Sequence, residues 1–397
     1  MSTTLKHPKM TALVLLLSAF MCAADTMTLQ PIIDLLANEV FPEAGYAMVG
    51  MIMNASALAL AVISLATGVL TRFGKKRLLL IGSVLFSVGG LAGMLITNIY
   101  YIIFTRLFEG LGAGLVMTVS LMMIPTLFQD QAHVDKLMGY NGILMAFFSG
   151  LVTFTSGYMA LVYWKLPFLY YAVGFIILAL QWVYIPNDPF SEENKTAVGQ
   201  ASHITKAGVI HGLNGFTFGV FTSFFFVCIS GVLAENGVGN AASAGTAATF
   251  NTIGSFLSGF VFVAVFNKLK RFSSAVFYVI MAIACFGVIS ASSMPLVCLF
   301  AVFNGIGWNW FFSAYLAKVS MFSNETSLEA NMALSNGAYY IGMFVTPFAL
   351  SIISSISGNA STVFAMKCIL FILLGLAAIH FICAVIGNRR EQYTTQL

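Results

Sequence analysis

Charge is scarce in this chain: only 8% of its 397 residues are Asp, Glu, Lys or Arg, against roughly 25% in ordinary soluble domains. Too few polar groups remain to cover a water-facing surface. With 59% hydrophobic residues and a mean hydropathy of +0.93, the chain reads as one that lives in lipid. Its six cysteines (Cys22, Cys228, Cys285, Cys298, Cys368 and Cys383) form no C-x-x-C pair and fall within apolar runs. A disulfide framework and a zinc site are thereby excluded, and core packing is left as their role. No P-loop, metalloprotease motif or nucleophile elbow is present, so ATP hydrolysis and the common hydrolytic chemistries have no residues to run on. The chain reads as a non-enzyme, and neither a cofactor nor a metal is expected. The net charge of +4 has a loop-based origin given below, and it implies no nucleic-acid partner.

What is present is long apolar runs. A hydrocarbon core about 30 Å thick takes roughly 20 helical residues to cross, because the backbone must satisfy its own hydrogen bonds there. Twelve such runs can be counted: 11–36, 44–70, 78–96, 99–121, 137–162 and 167–185, then 207–233, 241–266, 274–291, 295–317, 329–353 and 363–386. The first imitates a signal peptide, with Lys6 and Lys9 ahead of it and Ala23-Ala24 as a cleavage-like site. Its apolar character continues past Asp25 to Leu36, too far for a signal h-region.

The two halves are copies. Phe108-Glu109-Gly110-Leu111-Gly112 returns 195 positions later as Phe303-Asn304-Gly305-Ile306-Gly307, and Asn141-Gly142 returns at the same offset as Asn336-Gly337. An internal repeat over half of so apolar a chain points to two similar membrane bundles, an arrangement common among secondary transporters. The expected organisation is an N-terminal six-helix bundle over 1–186, a polar linker over 187–206 and a C-terminal six-helix bundle over 207–397. The fold class is an all-α membrane protein with twelve transmembrane helices. Placing both termini in the cytoplasm puts fourteen of the 18 Lys and Arg on cytoplasmic segments, while the outer loops hold only Lys165. That asymmetry accounts for the net charge and sets the orientation. The cell inner (plasma) membrane is the expected location.

Twelve helices, a six-plus-six repeat and the basic loop Gly68-Val69-Leu70-Thr71-Arg72-Phe73-Gly74-Lys75-Lys76-Arg77 together resemble the major facilitator superfamily of secondary transporters. The loop is similar to that family's glycine-x-x-x-aspartate-arginine-x-glycine-basic-basic signature, with Thr71 where the family has an acid and Gly68 one position late. Arg106 to Gly114 resembles the family's arginine-x-x-glutamine-glycine-x-glycine pattern in helix four, with Glu109 replacing glutamine. Trp164 to Phe168 is similar to the family's turn into helix six. Between Gly150 and Gly157 in helix five there is no proline, so the glycine-proline motif of drug-exporting antiporters is absent.

Three charges fall inside the apolar runs, where each is costly and asks for a function. Asp25 lies about 16 Å from the outer end of helix one, and Arg106 and Glu109 about 10 to 15 Å from that of helix four, at 1.5 Å per residue. Arg106 and Glu109 share a helix face. The resemblance brings helices one and four to a central cavity, which implies that Asp25 approaches the pair. A carboxyl there feels burial and a guanidinium in opposition, so it can load and release a proton. The rival reading is a static Arg106–Glu109 pair that neutralises itself.

The second half is neutral at these positions: Arg106 maps to Ala301 and Glu109 to Asn304. Asn304 and Trp308 share a face of helix ten, Asn336 and Tyr340 share a face of helix eleven, and Asn251 falls mid-helix in helix eight. Such a wall suits an amphipathic organic solute, although membrane asparagines also serve simple helix–helix hydrogen bonding. Gly110, Gly112 and Gly114 follow no strand, so they read as close helix packing and not as a nucleotide loop. His211, Lys318 and Lys367 read as hydrogen-bonded or interface-seeking residues near helix ends. The expectation is a monomeric, proton-coupled carrier of a small molecule in the lipid bilayer, using Asp25, Glu109 and Arg106. The alternative is a non-transporting receptor on the same scaffold.

Overall fold

The computed structural model describes residues 7–70, 73–128, 130–187, 204–269, 272–324 and 327–394. Twelve principal helices run in order: α1 Pro8–Met27, α2 Tyr46–Leu70, α3 Lys75–Ala92, α4 Ile99–Leu127, α5 Gln131–Val162 and α6 Val173–Tyr184; then α7 Lys206–Glu235, α8 Ala241–Gly259, α9 Ser273–Ser290, α10 Met294–Phe322, α11 Leu328–Ser357 and α12 Thr362–Thr394. No strand occurs among the described residues. Several helix starts carry the side chain that their free N–H groups need. Asn98, Asp130, Thr205 and Asn240 accept from backbone amides at the starts of α4, α5, α7 and α8.

The first expected span is not one helix. After Met27 the chain leaves α geometry, passes through the 3-10 turn Gln30–Ile32 and winds on to Val40. Pro31 explains the interruption, since it has no N–H to return to residue 27 and its ring crowds the preceding turn. The eighth span is likewise divided, into α8 and the piece Phe262–Leu269, and α6 is preceded by the 3-10 stretch Leu166–Ala172 with Pro167 near its start. Among the described residues ten helices are long and apolar enough to cross a membrane; α3 and α8 are not among them. Helix α3 opens on Lys75-Lys76-Arg77, and α8 is rich in Ala, Ser, Thr and Gly. Both pack along other helices, α3 on α4 and α8 on α10 and α5.

Packing reproduces the repeat. Within the first half α4 packs on α2 and α3, α1 on α5 and α6, and α3 on α6; within the second half α10 packs on α8 and α9, α7 on α11 and α12, and α9 on α12. The halves meet through α2 with α11 and α5 with α8, two contacts that exchange under the same correspondence. The repeated glycines explain how. Gly110 presses on Ser56 of α2 and Gly305 presses on Asn251 of α8, while Gly112 meets Gly82 and Phe86 of α3 and Gly307 meets Phe277 and Met281 of α9. Every one of these partners is offset by the same 195 positions, and at each glycine a Cβ would overlap its neighbour.

Two basic residues of the loop after α2 cap neighbouring helices. Lys75 Nζ donates to Thr126 Oγ1 at 2.8 Å near the end of α4, and Lys76 Nζ donates to Trp182 O at 3.0 Å near the end of α6. Cations there complement the negative ends of the helix dipoles. Thr71 and Arg72 of the signature-like loop lie outside the described residues, as does 188–203 of the linker.

Candidate functional site

Helix α1 places Asp25 two residues before the break, and that break has a chemical consequence. The carbonyls of its last turn have no following helix to bond, so they are open to another donor. Arg106, on α4, takes one of them. Its Nη2 donates to the Asp25 main-chain O at 2.7 Å, to Asp25 Oδ1 at 3.2 Å and to Ser56 Oγ at 3.3 Å. Nη1 donates to Glu109 Oε2 at 2.6 Å and to the Tyr171 hydroxyl at 2.6 Å, and Nε donates to Ile52 O at 3.1 Å. A guanidinium has five N–H donors in a fixed fork, and this arrangement uses all three of its nitrogens.

The cluster is sealed: Arg106 is 1% exposed, Asp25 2% and Glu109 0%. One guanidinium therefore faces two carboxyl groups in a site without water-scale dielectric, where unbalanced charge is strongly unfavourable. Glu109 Oε1 has no donor among the described residues, and the carboxyls of Asp25 and Glu109 are both bonded to the one guanidinium. Two carboxyls on one cation, one of them with an open acceptor, suit a single shared proton.

Sequence reasoning placed Asp25, Arg106 and Glu109 at similar depth, and the structure brings all three into contact. It missed Tyr171, Ser56 and the carbonyl of Ile52. Tyr171 arrives from the 3-10 stretch before α6, with its ring against Phe86 at 5.2 Å, and Gly90 of α3 leaves the space that ring occupies. The pairing of Tyr171 with Arg106 spans 65 residues and follows no local spacing.

In the second half, Trp308, Phe312, Tyr339 and Tyr340 form a continuous aromatic run, with successive ring centroids 5.6, 5.2 and 5.4 Å apart. Asn304 lies one turn from Trp308, is 2% exposed, and its Oδ1 has no partner among the described residues. Tyr340 reaches across to the first half, its hydroxyl 3.9 Å from Met117 Sδ of α4. Asn336 is half-buried one turn before it. Asn251 stands apart from this group, since its Nδ2 donates to Ala301 O at 3.3 Å. That bond joins the counterparts of Ser56 and Arg106, so the same two positions touch in both halves, charged in one and neutral in the other.

The remaining candidates are structural. His211 Nε2 bonds Tyr315 O at 2.8 Å with the two rings stacked at 4.3 Å, and Lys318 Nζ donates to Ser274 Oγ at 2.9 Å. Four cysteines are buried, as core packing requires, but Cys368 is half-buried and Cys383 exposed on α12. An apolar run on a lipid-facing helix looks the same as a core run. No group of three or more His, Cys, Asp or Glu arranged for a metal occurs among the described residues.

Comparison with known proteins gives one family. The model for the Major Facilitator Superfamily matches residues 15–235, more than half of the chain. No curated protein matches. Among solved structures, the crystal structure of a D-xylose-proton symporter superposes with a TM-score of 0.74 at 17% identity, covering 94% of this chain and 97% of that one. The inward open conformation of the xylose transporter XylE from E. coli superposes with a TM-score of 0.71 at 16% identity, covering 93% and 95%. At such identities the likeness is one of fold.

Proposed function

Because the chain belongs to the Major Facilitator Superfamily and is a multi-pass secondary transporter, we propose that it couples the movement of a small organic solute to protons through Asp25, Arg106 and Glu109. The observation that carries this reading is the stoichiometry of the buried cluster: two carboxyls share one guanidinium, and among the described residues no second cation is paired with either. With one proton bound the cluster has no net charge. Without it, one negative charge is left in a sealed site, and hydration becomes favourable. Proton loading is thus tied to whether the site is closed or open, which is what a carrier needs.

Residues 1–186 and 207–397 act as two lobes joined by the linker 187–206, rocking about a midplane site in the manner of alternating access. The loop face that carries Lys75 and Lys76 is cytoplasmic, as are both termini, in a plasma membrane; the face formed by the α1–α2 and α7–α8 connections is external. Asn304, Trp308, Asn336 and Tyr340 present a neutral, aromatic wall to the solute, with Asn251 supporting α10 from behind. Each proton moving down a 100 mV potential supplies about 2.3 kcal/mol, enough to bias transport.

Counterflow of labelled solute in proteoliposomes tests this, once a thermal-shift screen has identified a ligand that stabilises the folded protein. Asp25→Asn and Glu109→Gln are expected to retain exchange while losing accumulation driven by a pH gradient. Full gradient-driven accumulation in both single variants and the double variant would sink the coupling role.

A further inference from the structure

Among the described residues, one carboxamide is sealed with both of its polar atoms unbonded. Gln30 is 1% exposed, and neither its Oε1 nor its Nε2 has a hydrogen-bond partner among the described residues. It stands on the 3-10 turn after the α1 break, and that turn packs against α5, α7 and α8, so it lies where the two halves meet. Asn54 of α2 shows half the same pattern at 1% exposure. Its Oδ1 accepts from Ser223 Oγ of α7 at 3.1 Å, and its Nδ2 has no partner among the described residues. Buried amides without partners are uncommon because the lost solvation is not returned, so each calls for an explanation.

The face above Gln30 is held shut by a neighbouring device. Tyr46, the first residue of α2, crosses to α7, where its hydroxyl donates to Val227 O at 3.0 Å and accepts from Gly231 N at 3.1 Å. Those two α7 groups are one helical rung apart, so the phenol sits directly on the helix ladder. Asp34 N adds a bond to Ser230 Oγ at 3.1 Å. Closure therefore gains cross-half hydrogen bonds at Tyr46 and Asp34 while it strands the amide of Gln30.

We propose that Gln30 is the residue through which the transported solute is read at this gate, a reading that rests on alternating access as proposed above. A solute presenting a donor and an acceptor side by side, as a hydroxyl or an amide does, satisfies both ends of the carboxamide. Without such a solute, closure leaves the amide unpaired, and the unpaired amide opposes the Tyr46 latch. A purely apolar solute cannot relieve that opposition, so it is rejected by the group it leaves unsatisfied. The gate then closes preferentially over its proper cargo, and empty closure, which would leak protons, is suppressed.

The test needs no known solute. Spin labels at Thr97 and Ser292, exposed positions on this face in the two halves, report its opening in purified solute-free protein with Cys368 and Cys383 replaced by serine. Gln30→Leu is expected to raise the closed, short-distance population at least about fivefold, with Gln30→Met as the second variant and thermal melting as the check on folding. Tyr46→Phe is expected to move the population the other way. An unchanged or more open distribution in both Gln30 variants overturns the proposal, and so does a wild type already wholly closed without solute. If Tyr46→Phe shifts the distances and the Gln30 variants do not, the gate reading of Gln30 fails alone. If nothing shifts in any variant, alternating access at this face fails with it.

Discussion

Arg106 holds Asp25 by two acceptors at once: Nη2 donates to its main-chain carbonyl at 2.7 Å and to its carboxyl Oδ1 at 3.2 Å. The first bond depends on the helix break and the second on the charge, so one residue ties the backbone geometry of α1 to the ionic state of its side chain.

Removing the guanidinium is expected to be far more harmful than removing either carboxyl. Arg106→Ala strands two buried carboxyls, the Tyr171 hydroxyl and two backbone carbonyls, and is predicted to lose roughly 3–5 kcal/mol of stability. Arg106→Lys is predicted to recover little, since one ammonium cannot reproduce a planar fork with partners on three nitrogens. Thermal melting in detergent measures both; a lysine variant that melts with wild type contradicts the geometric account.

Helix packing yields a paired prediction. Gly110→Ala and Gly305→Ala insert a methyl group against Ser56 and Asn251 respectively, and each is expected to cost about 1–3 kcal/mol because the opposed helix must back away. As counterparts in the repeat, they are expected to destabilise by similar amounts. A neutral effect at either glycine, read by the same melting experiment, removes the packing role assigned to the repeated motif.

Much of this was legible beforehand, for identifiable reasons. Length and hydropathy find helices wherever a run is unbroken, as in α4, α7 and α12. The repeat was visible because the glycines at 110, 112, 305 and 307 admit no side chain. Intramembrane charge singled out Asp25, Arg106 and Glu109 through its cost alone. What stayed hidden was set by contacts between distant segments. Tyr171 reaches Arg106 only because α3 carries Gly90 beside it, and Gln30 looks like any polar residue until its burial is known. Pro31 is plain in the sequence, yet that the chain leaves α geometry just after Met27, leaving the Asp25 carbonyl to Arg106, appears only when α1 and α4 are side by side.

At the C-terminal end of α7, Glu235 secures the start of α12. Its carboxylate accepts from the backbone N of Thr362 at 2.6 Å and of Val363 at 3.4 Å, and from the hydroxyls of Ser361 and Thr362. This is an N-cap supplied by another helix, and negative charge there also complements the helix dipole. Glu235→Ala is predicted to cost about 1–2 kcal/mol and to increase amide hydrogen exchange at residues 362–364. Unaltered protection of those amides contradicts the capping role.

The claim that matters most is that a proton on the Asp25–Glu109 pair decides between sealed and open forms. It is tested most directly by the Thr97 to Ser292 distance distribution as a function of pH, in wild type and in the Asp25→Asn/Glu109→Gln double variant. A proton leaves the sealed cluster without net charge, so acidification should enlarge the short-distance population of the wild type, and the double variant should show the same distribution at every pH. A wild type indifferent to pH, or a double variant that responds as wild type does, would contradict the account.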